Sequence, residues 1–185
     1  MLRVTSLKNA HKRRTLQARY AQTQATPVDM VLDPTQSRVA QGIEGTPTTG
    51  ITGNTLAAIL PGMVAVKGVG RSVKVSGGTD TERAFGLFAN FVGGPLDDLG
   101  DSNKVGVWNG VGSHWELLAP AFDDTNLATA AAGEDGTDEK EAYLRSNAKG
   151  QLAVVTPADP GQAFGHTARL IERLSSKAVI VQLLV

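Results

Sequence analysis

From Leu56 to the C-terminus, short apolar runs alternate with glycine-centred breaks, and this spacing leaves little room for anything but strands. Gly68-Val69-Gly70, Gly77-Gly78, Gly93-Gly94-Pro95 and Asn109-Gly110-Val111-Gly112 punctuate the chain before an amphipathic helix could complete its turns. Between them, Met63–Lys67 and Ser72–Ser76 read as strands. The second alternates cleanly, with Val73 and Val75 on one face and Ser72, Lys74 and Ser76 on the other. Ala84–Val92 reads as a third, with Phe85, Leu87, Ala89 and Phe91 on one side. Lys104–Trp108 and His114–Leu118 are expected to pair as a hairpin across Asn109–Gly112. Tyr143–Asn147, Gln151–Thr156, Thr167–Arg173 and Ala178–Leu184 complete the set. The last is apolar on both faces, as a central strand would be. The expected fold class is all-β, a small barrel or sandwich of short strands.

The N-terminal part differs in kind. Residues 1–28 hold six basic residues (Arg3, Lys8, Lys12, Arg13, Arg14 and Arg19) and no acid. The remaining 157 carry 12 Lys+Arg against 18 Asp+Glu, so the formal net charge of +0 hides a cationic arm on a body of net −6. Leu16 and Tyr20 stand four apart, which permits a short helix, but sustained periodicity is missing and an extended arm fits as well. Asp33-Pro34 marks a turn, and residues 42–54 are rich in Gly, Thr and Pro. The division expected is therefore a basic arm and linker over 1–55, then a β-rich domain over 56–185. A long acidic loop excursion spans 95–141. Between Asp97 and Glu141 there are eleven acids against Lys104 and Lys140, net −9, and a solvated outward face is the expectation.

Motifs for chemistry are weak. His11, His114 and His166 lack a second histidine or carboxylate at ligand spacing, and there is no cysteine for a thiolate site. Gly110–His114 lacks the order and context of a nucleophile elbow. Gly68–Ser72 lacks the third glycine of a dinucleotide loop, and a strand follows it. The runs Asp97–Asp101 and Glu134–Asp138 miss the EF-hand pattern. No catalytic, metal or cofactor residue is assigned, and no enzyme activity is expected. Trp108 and Trp115 fit core or interface packing, with a ligand platform as the lesser alternative. Met1–Tyr20 has no apolar segment of signal-peptide length, and no run approaches a membrane span, so no membrane association is expected.

The arm has too little apolar surface to offset the entropy of being fixed, so order there implies a partner. Phosphate contacts would suit its cations, but the body is acidic and the arm's one aromatic is Tyr20, so nucleic acid is not the favoured partner. Docking on a neighbouring protein is expected, through Arg3, Lys8, Lys12, Arg13, Arg14, Arg19 and Tyr20.

Leu60-Pro61-Gly62-Met63-Val64-Ala65-Val66, a polar hairpin, and Ala84-Phe85-Gly86-Leu87-Phe88-Ala89 form an order that resembles the small β-rich head decoration proteins of tailed bacteriophages, the lambda type among them. Residues 163–172 followed by 178–183 are similar to their closing strand pair. The resemblance covers 56–92 and 150–185. The acidic excursion and the long arm depart from the shortest members. It implies a structural virion protein, made in the host cytoplasm, that cements the outer capsid surface by bridging capsomers. It further implies a homo-oligomer, often a trimer at local three-fold axes, with the arm docked on the major capsid protein, where it could add a strand. The alternatives are another virion component, at the tail or head–tail junction, and a host-surface or glycan-binding β-module, which exposed tryptophans would favour.

Overall fold

Two β-layers share one apolar joint in the computed structural model, which describes residues 16–19, 27–33, 59–79, 81–92, 104–127, 142–154 and 166–185. In chain order the strands are β1 (Leu16–Arg19), β2 (Val28–Leu32), β3 (Val64–Lys67), β4 (Ser72–Val75), β5 (Ala84–Phe88), β6 (Lys104–Trp108), β7 (His114–Leu118), β8 (Tyr143–Ser146), β9 (Leu152–Val154), β10 (Ala168–Ser175) and β11 (Ala178–Leu183). The all-β reading holds, and the architecture is a closed five-stranded barrel in the order β2-β4-β3-β5-β6 beside an open six-stranded sheet in the order β1-β7-β11-β10-β8-β9.

The barrel closes through β2, which runs parallel to β4 (Val31 opposite Ser72) and antiparallel to β6 (Met30 opposite Val105). A five-stranded barrel is narrow enough to be filled by its own side chains. Here Met30, Leu32, Ala65, Val73, Val75, Phe88, Val105 and Val107 fill it, with Ile59, Met63 and Val92 closing the ends. The alternation read in β4 puts Val73 and Val75 inside as expected.

The open sheet is antiparallel throughout. Strand β11 lies between β7 and β10, which explains its apolar character on both faces: Val179, Val181 and Leu183 point to the joint, and Ile180 is buried on the opposite face. The joint combines Trp115, Leu117, Leu144, Leu170, Val179, Val181 and Leu183 of the sheet with Val64 and Leu87 from the barrel. Strands β3 and β5 serve both clusters by alternation, Val64 and Leu87 in the joint and Ala65 and Phe88 in the barrel, and a bulge at Phe85 then resets the phase of β5. Val64 faces Leu87 and Ala65 faces Gly86, but Val66 faces Ala84, so Phe85 has no partner. The single face expected for Phe85 and Leu87 is therefore broken: Leu87 enters the joint, and Phe85 packs half-buried on the barrel cluster.

Two further expectations change. Strands β6 and β7 do not pair; β6 belongs to the barrel and β7 to the open sheet. The link between them bonds elsewhere, Gly112 N–H donating to Leu183 O and Leu183 N–H to Ser113 O, both at 2.8 Å. The segment 1–55, read as arm and linker, contributes β1 and β2 to the two layers. In β2, Met30 and Leu32 point inward while Asp29 and Val31 stay exposed, the period of a half-buried strand.

The β8–β9 hairpin fastens the layers. Asn147 Oδ1 accepts from Lys149 N–H and Gln151 N–H at 2.9 and 3.1 Å, shaping the turn. Gly150, at φ 75°, lets the turn's backbone approach Val75, and its carbonyl accepts Val64 N–H at 2.8 Å.

Candidate partner-binding surface

Leu16–Arg19 is a strand and not a turn of helix, and it forms one edge of the open sheet. Leu16 sits opposite Leu117, Gln17 opposite Glu116, Ala18 opposite Trp115 and Arg19 opposite His114. Leu16 is half-buried and packs against the joint, so this part of the arm has an apolar anchor on its own chain. Arg3, Lys8, Lys12, Arg13, Arg14 and Tyr20 lie outside the described residues, and Arg19 is described through its backbone.

The acidic excursion divides in two. Asp97, Asp98, Asp101 and the acids from Glu134 to Glu141 lie outside the described residues. Asp123 and Asp124 do not form a freely solvated face. Arg173 donates to Asp124 through Nε and Nη2 at 2.8 and 2.7 Å, a fork-like pair that ties the segment after β7 to β10. These hydrogen bonds hold the Asp124 carboxyl below the usual carboxylate range and raise the Arg173 guanidinium above its own. Burial works to push Asp123 up, but Thr125 and Asn147 hydrogen bonds and the charge of Lys149 outweigh it and leave the carboxyl lowered. Asn147 Nδ2 donates to Asp123 Oδ2 at 3.2 Å and to Gln151 Oε1 at 3.0 Å, so this acid braces the β8–β9 turn.

His166 stacks on Tyr143 with ring centroids 4.7 Å apart, and His114 lies on β7. Among the described residues no three His, Cys, Asp or Glu side chains stand together as metal ligands would. Trp115 is a core residue at 3 % exposure, its ring 4.7 Å from that of half-buried Trp108. The paired-tryptophan platform that would favour glycan binding is therefore absent. A cleft of about 490 Å³ lies along the β3–β5 bulge, lined in part by Lys67, Lys74, Glu82 and Phe85. Its carboxylate is already engaged: Glu82 accepts Gly77 N–H and the Ser76 hydroxyl at 2.6 and 3.0 Å and pairs with Lys74 at 3.4 Å. Among the described residues no helix is long and apolar enough to cross a membrane.

Two surface features escaped the sequence reading. Both Gly-Val-Gly segments hold their valine in solvent, Val69 at 89 % exposure and Val111 at 76 %. The sequence signal is the repeated Gly-Val-Gly motif, whose glycines account for the turns but do not report where the valines point.

A family model described as phage cement protein matches residues 1–184. No curated protein matches the chain, and no solved structure matches it.

Proposed function

We propose that this chain, which belongs to the phage cement protein family, binds the outer surface of the phage head and bridges adjacent capsomers, with its N-terminal arm docked on the major capsid protein. The family is structural and not enzymatic, so the chain is a virion component with a capsid-stabilising role. The observation that carries the proposal is the match over residues 1–184, which takes in the cationic arm together with both β-layers.

The geometry supports a division of labour. Strand β1 anchors the arm to its own sheet, and in this reading residues 1–15, which precede it, reach the neighbour. Fully extended they span roughly 50 Å at about 3.3 Å per residue. Arg3, Lys8, Lys12, Arg13 and Arg14 fall within this stretch, Arg19 is the last residue of the anchor and Tyr20 follows it. In this reading they meet carboxylates on the capsid protein. Exposed ion pairs each contribute only about 0–1 kcal/mol, so their effect is cumulative. The body assembles with copies of itself as a trimer. Many modest contacts repeated around a shell then act through effective concentration.

The test is co-sedimentation of purified protein with undecorated shells of the phage that encodes it, across a salt series. Replacing Arg3, Lys8, Lys12, Arg13 and Arg14 with Gln preserves β1 and should weaken binding more than tenfold while flattening the salt dependence. Equal affinity and equal salt dependence would show that the arm is not the anchor. Nucleic-acid fragments retained by the isolated protein and lost in the Gln variant would assign the arm to phosphate instead.

A further inference from the structure

The two Gly-Val-Gly turns share a serine closure, and while their backbones bond the neighbouring strands, their valine side chains are left outside the core. In Gly68-Val69-Gly70-Arg71-Ser72, which joins β3 to β4, Ser72 N–H donates to Val69 O at 3.2 Å and Ser72 Oγ donates to the same carbonyl at 2.7 Å. In Gly110-Val111-Gly112-Ser113, between β6 and β7, Ser113 N–H donates to Gly110 O at 3.0 Å and Ser113 Oγ to that carbonyl at 2.6 Å. A serine thus closes each turn twice. Each has a glycine directly after the valine at positive φ, Gly70 at 68° and Gly112 at 86°, which the two turn geometries require.

Both turns are braced from below by a buried side chain. Asp33, 5 % exposed, lies under the first: a Cβ on Gly68 would collide with its carboxylate, and its Oδ2 is 3.1 Å from Ser72 Oγ. Under the second, the buried Trp115 donates from Nε1 to Ser113 Oγ at 2.9 Å. The tips themselves are open, with nothing within 4 Å of a Cβ built on Gly70 or Gly112. Strand direction places them at the same end of the barrel, because β6 runs antiparallel to β2, β2 parallel to β4, and β4 starts at the first turn. Scattered exposed valines need no explanation. Two in one motif, held rigidly at one end, are a different matter, since turn tips ordinarily carry polar residues.

We infer that Val69 and Val111 are a pair of preformed anchors that insert into shallow apolar recesses on the capsid surface, the recess for Val69 being rimmed by carboxylates. The charge preference follows from Arg71, exposed two residues after Val69; Lys67, exposed two residues before it, holds its ammonium 5.0 Å from the Phe85 ring centroid. Rigid closure by serine reduces the ordering cost of docking, so a small apolar contact is used efficiently. The inference rests on the shell-binding reading above and adds which end of the body faces the shell.

Val69→Ser, Val111→Ser, the double variant and a control, Leu174→Ser, which alters an exposed leucine on β10, are compared by co-sedimentation with undecorated shells. Thermal unfolding of each variant confirms that the fold is kept, as the exposure of these side chains implies. Each valine change should weaken binding about tenfold, the order expected for burying one aliphatic side chain. The double change should be near multiplicative and the control neutral. Arg71→Glu should weaken binding as well. Valine variants that bind like the unmodified protein, or a control that weakens binding equally, would overturn the inference while leaving shell binding in place. An unmodified protein that fails to bind shells would instead sink the shell-binding reading, and this inference with it.

Discussion

Leu87 is where the two layers are joined, and Leu87→Ala is the sharpest test of that joint. The side chain leaves its own barrel and is fully buried among residues of the open sheet. Truncation removes three carbons, about 2–2.5 kcal/mol of transfer free energy at roughly 0.8 kcal/mol per buried CH₂. The cavity left between two hydrogen-bonded layers cannot collapse freely, which raises the expected cost to about 3–5 kcal/mol. Against a typical total of about 5–15 kcal/mol, that is a large share. For a chain of this length it corresponds to a fall of roughly 6–15 °C in Tm. The assay is urea unfolding followed by tryptophan fluorescence, since Trp115 lies in the same cluster and Trp108 stands 4.7 Å from it. The expected result is one transition at a lower midpoint with an unchanged slope. A loss below about 1 kcal/mol, or two separated transitions in the unmodified protein, would refute the claim that barrel and sheet share one core.

Gly86→Ala should be at least as damaging, because a Cβ there would collide with the Trp108 carbonyl oxygen and a Val107 methyl across the β5–β6 pairing; soluble yield and Tm would show it. Gly150→Ala combines a φ of 75° with a collision against Val75 and should cost more than 1 kcal/mol by urea midpoint. Asp124 has a lowered pKa in the fold, so its pairing with Arg173 stabilises above the ordinary carboxylate range and is lost as pH falls through the folded-state value. Arg173→Gln should therefore lower the urea midpoint at neutral pH, and the gap between the two proteins should narrow as pH falls through the folded-state value of Asp124; a gap that does not narrow would assign the loss to packing instead.

Much of the fold was legible because its strands are local patterns. The alternation of Val73 and Val75 and the doubly apolar run at 178–183 each fix a strand and its depth without knowledge of a partner. Pairing was less legible. Asn109-Gly110 carries hairpin chemistry, yet the link it begins is held by Leu183, more than 70 residues on, and no local signal reports such a bond. Strand β2 was hidden by its surroundings: Met30 and Leu32 alternate visibly, but the segment lies between a basic arm and a Gly/Thr/Pro-rich stretch whose composition dominated. The bulge at Phe85 cannot be read from the sequence either, because it depends on which residues of β3 it opposes. Of the site residues expected in the arm, only the strand position of Arg19 meets a described element. Asp123 and Asp124 look like two more solvated acids in the sequence because Asn147 of the β8–β9 turn and Arg173 of β10, which hold them, lie well downstream.

The N-terminal strands also set the timetable of synthesis. Strand β2 needs β4 and β6, and β1 needs β7, with Leu16 pairing to Leu117. At about 5–20 residues per second, a ribosome makes β7 roughly 5–20 s after β1 has been made. During that interval β1 waits as an unpaired edge and the open sheet cannot close, while β2 waits first for β4 and then for β6 to close the barrel. The first 28 positions carry six cations and no acid, and like charge beside an unpaired edge is the kind of feature that disfavours edge-to-edge pairing between copies.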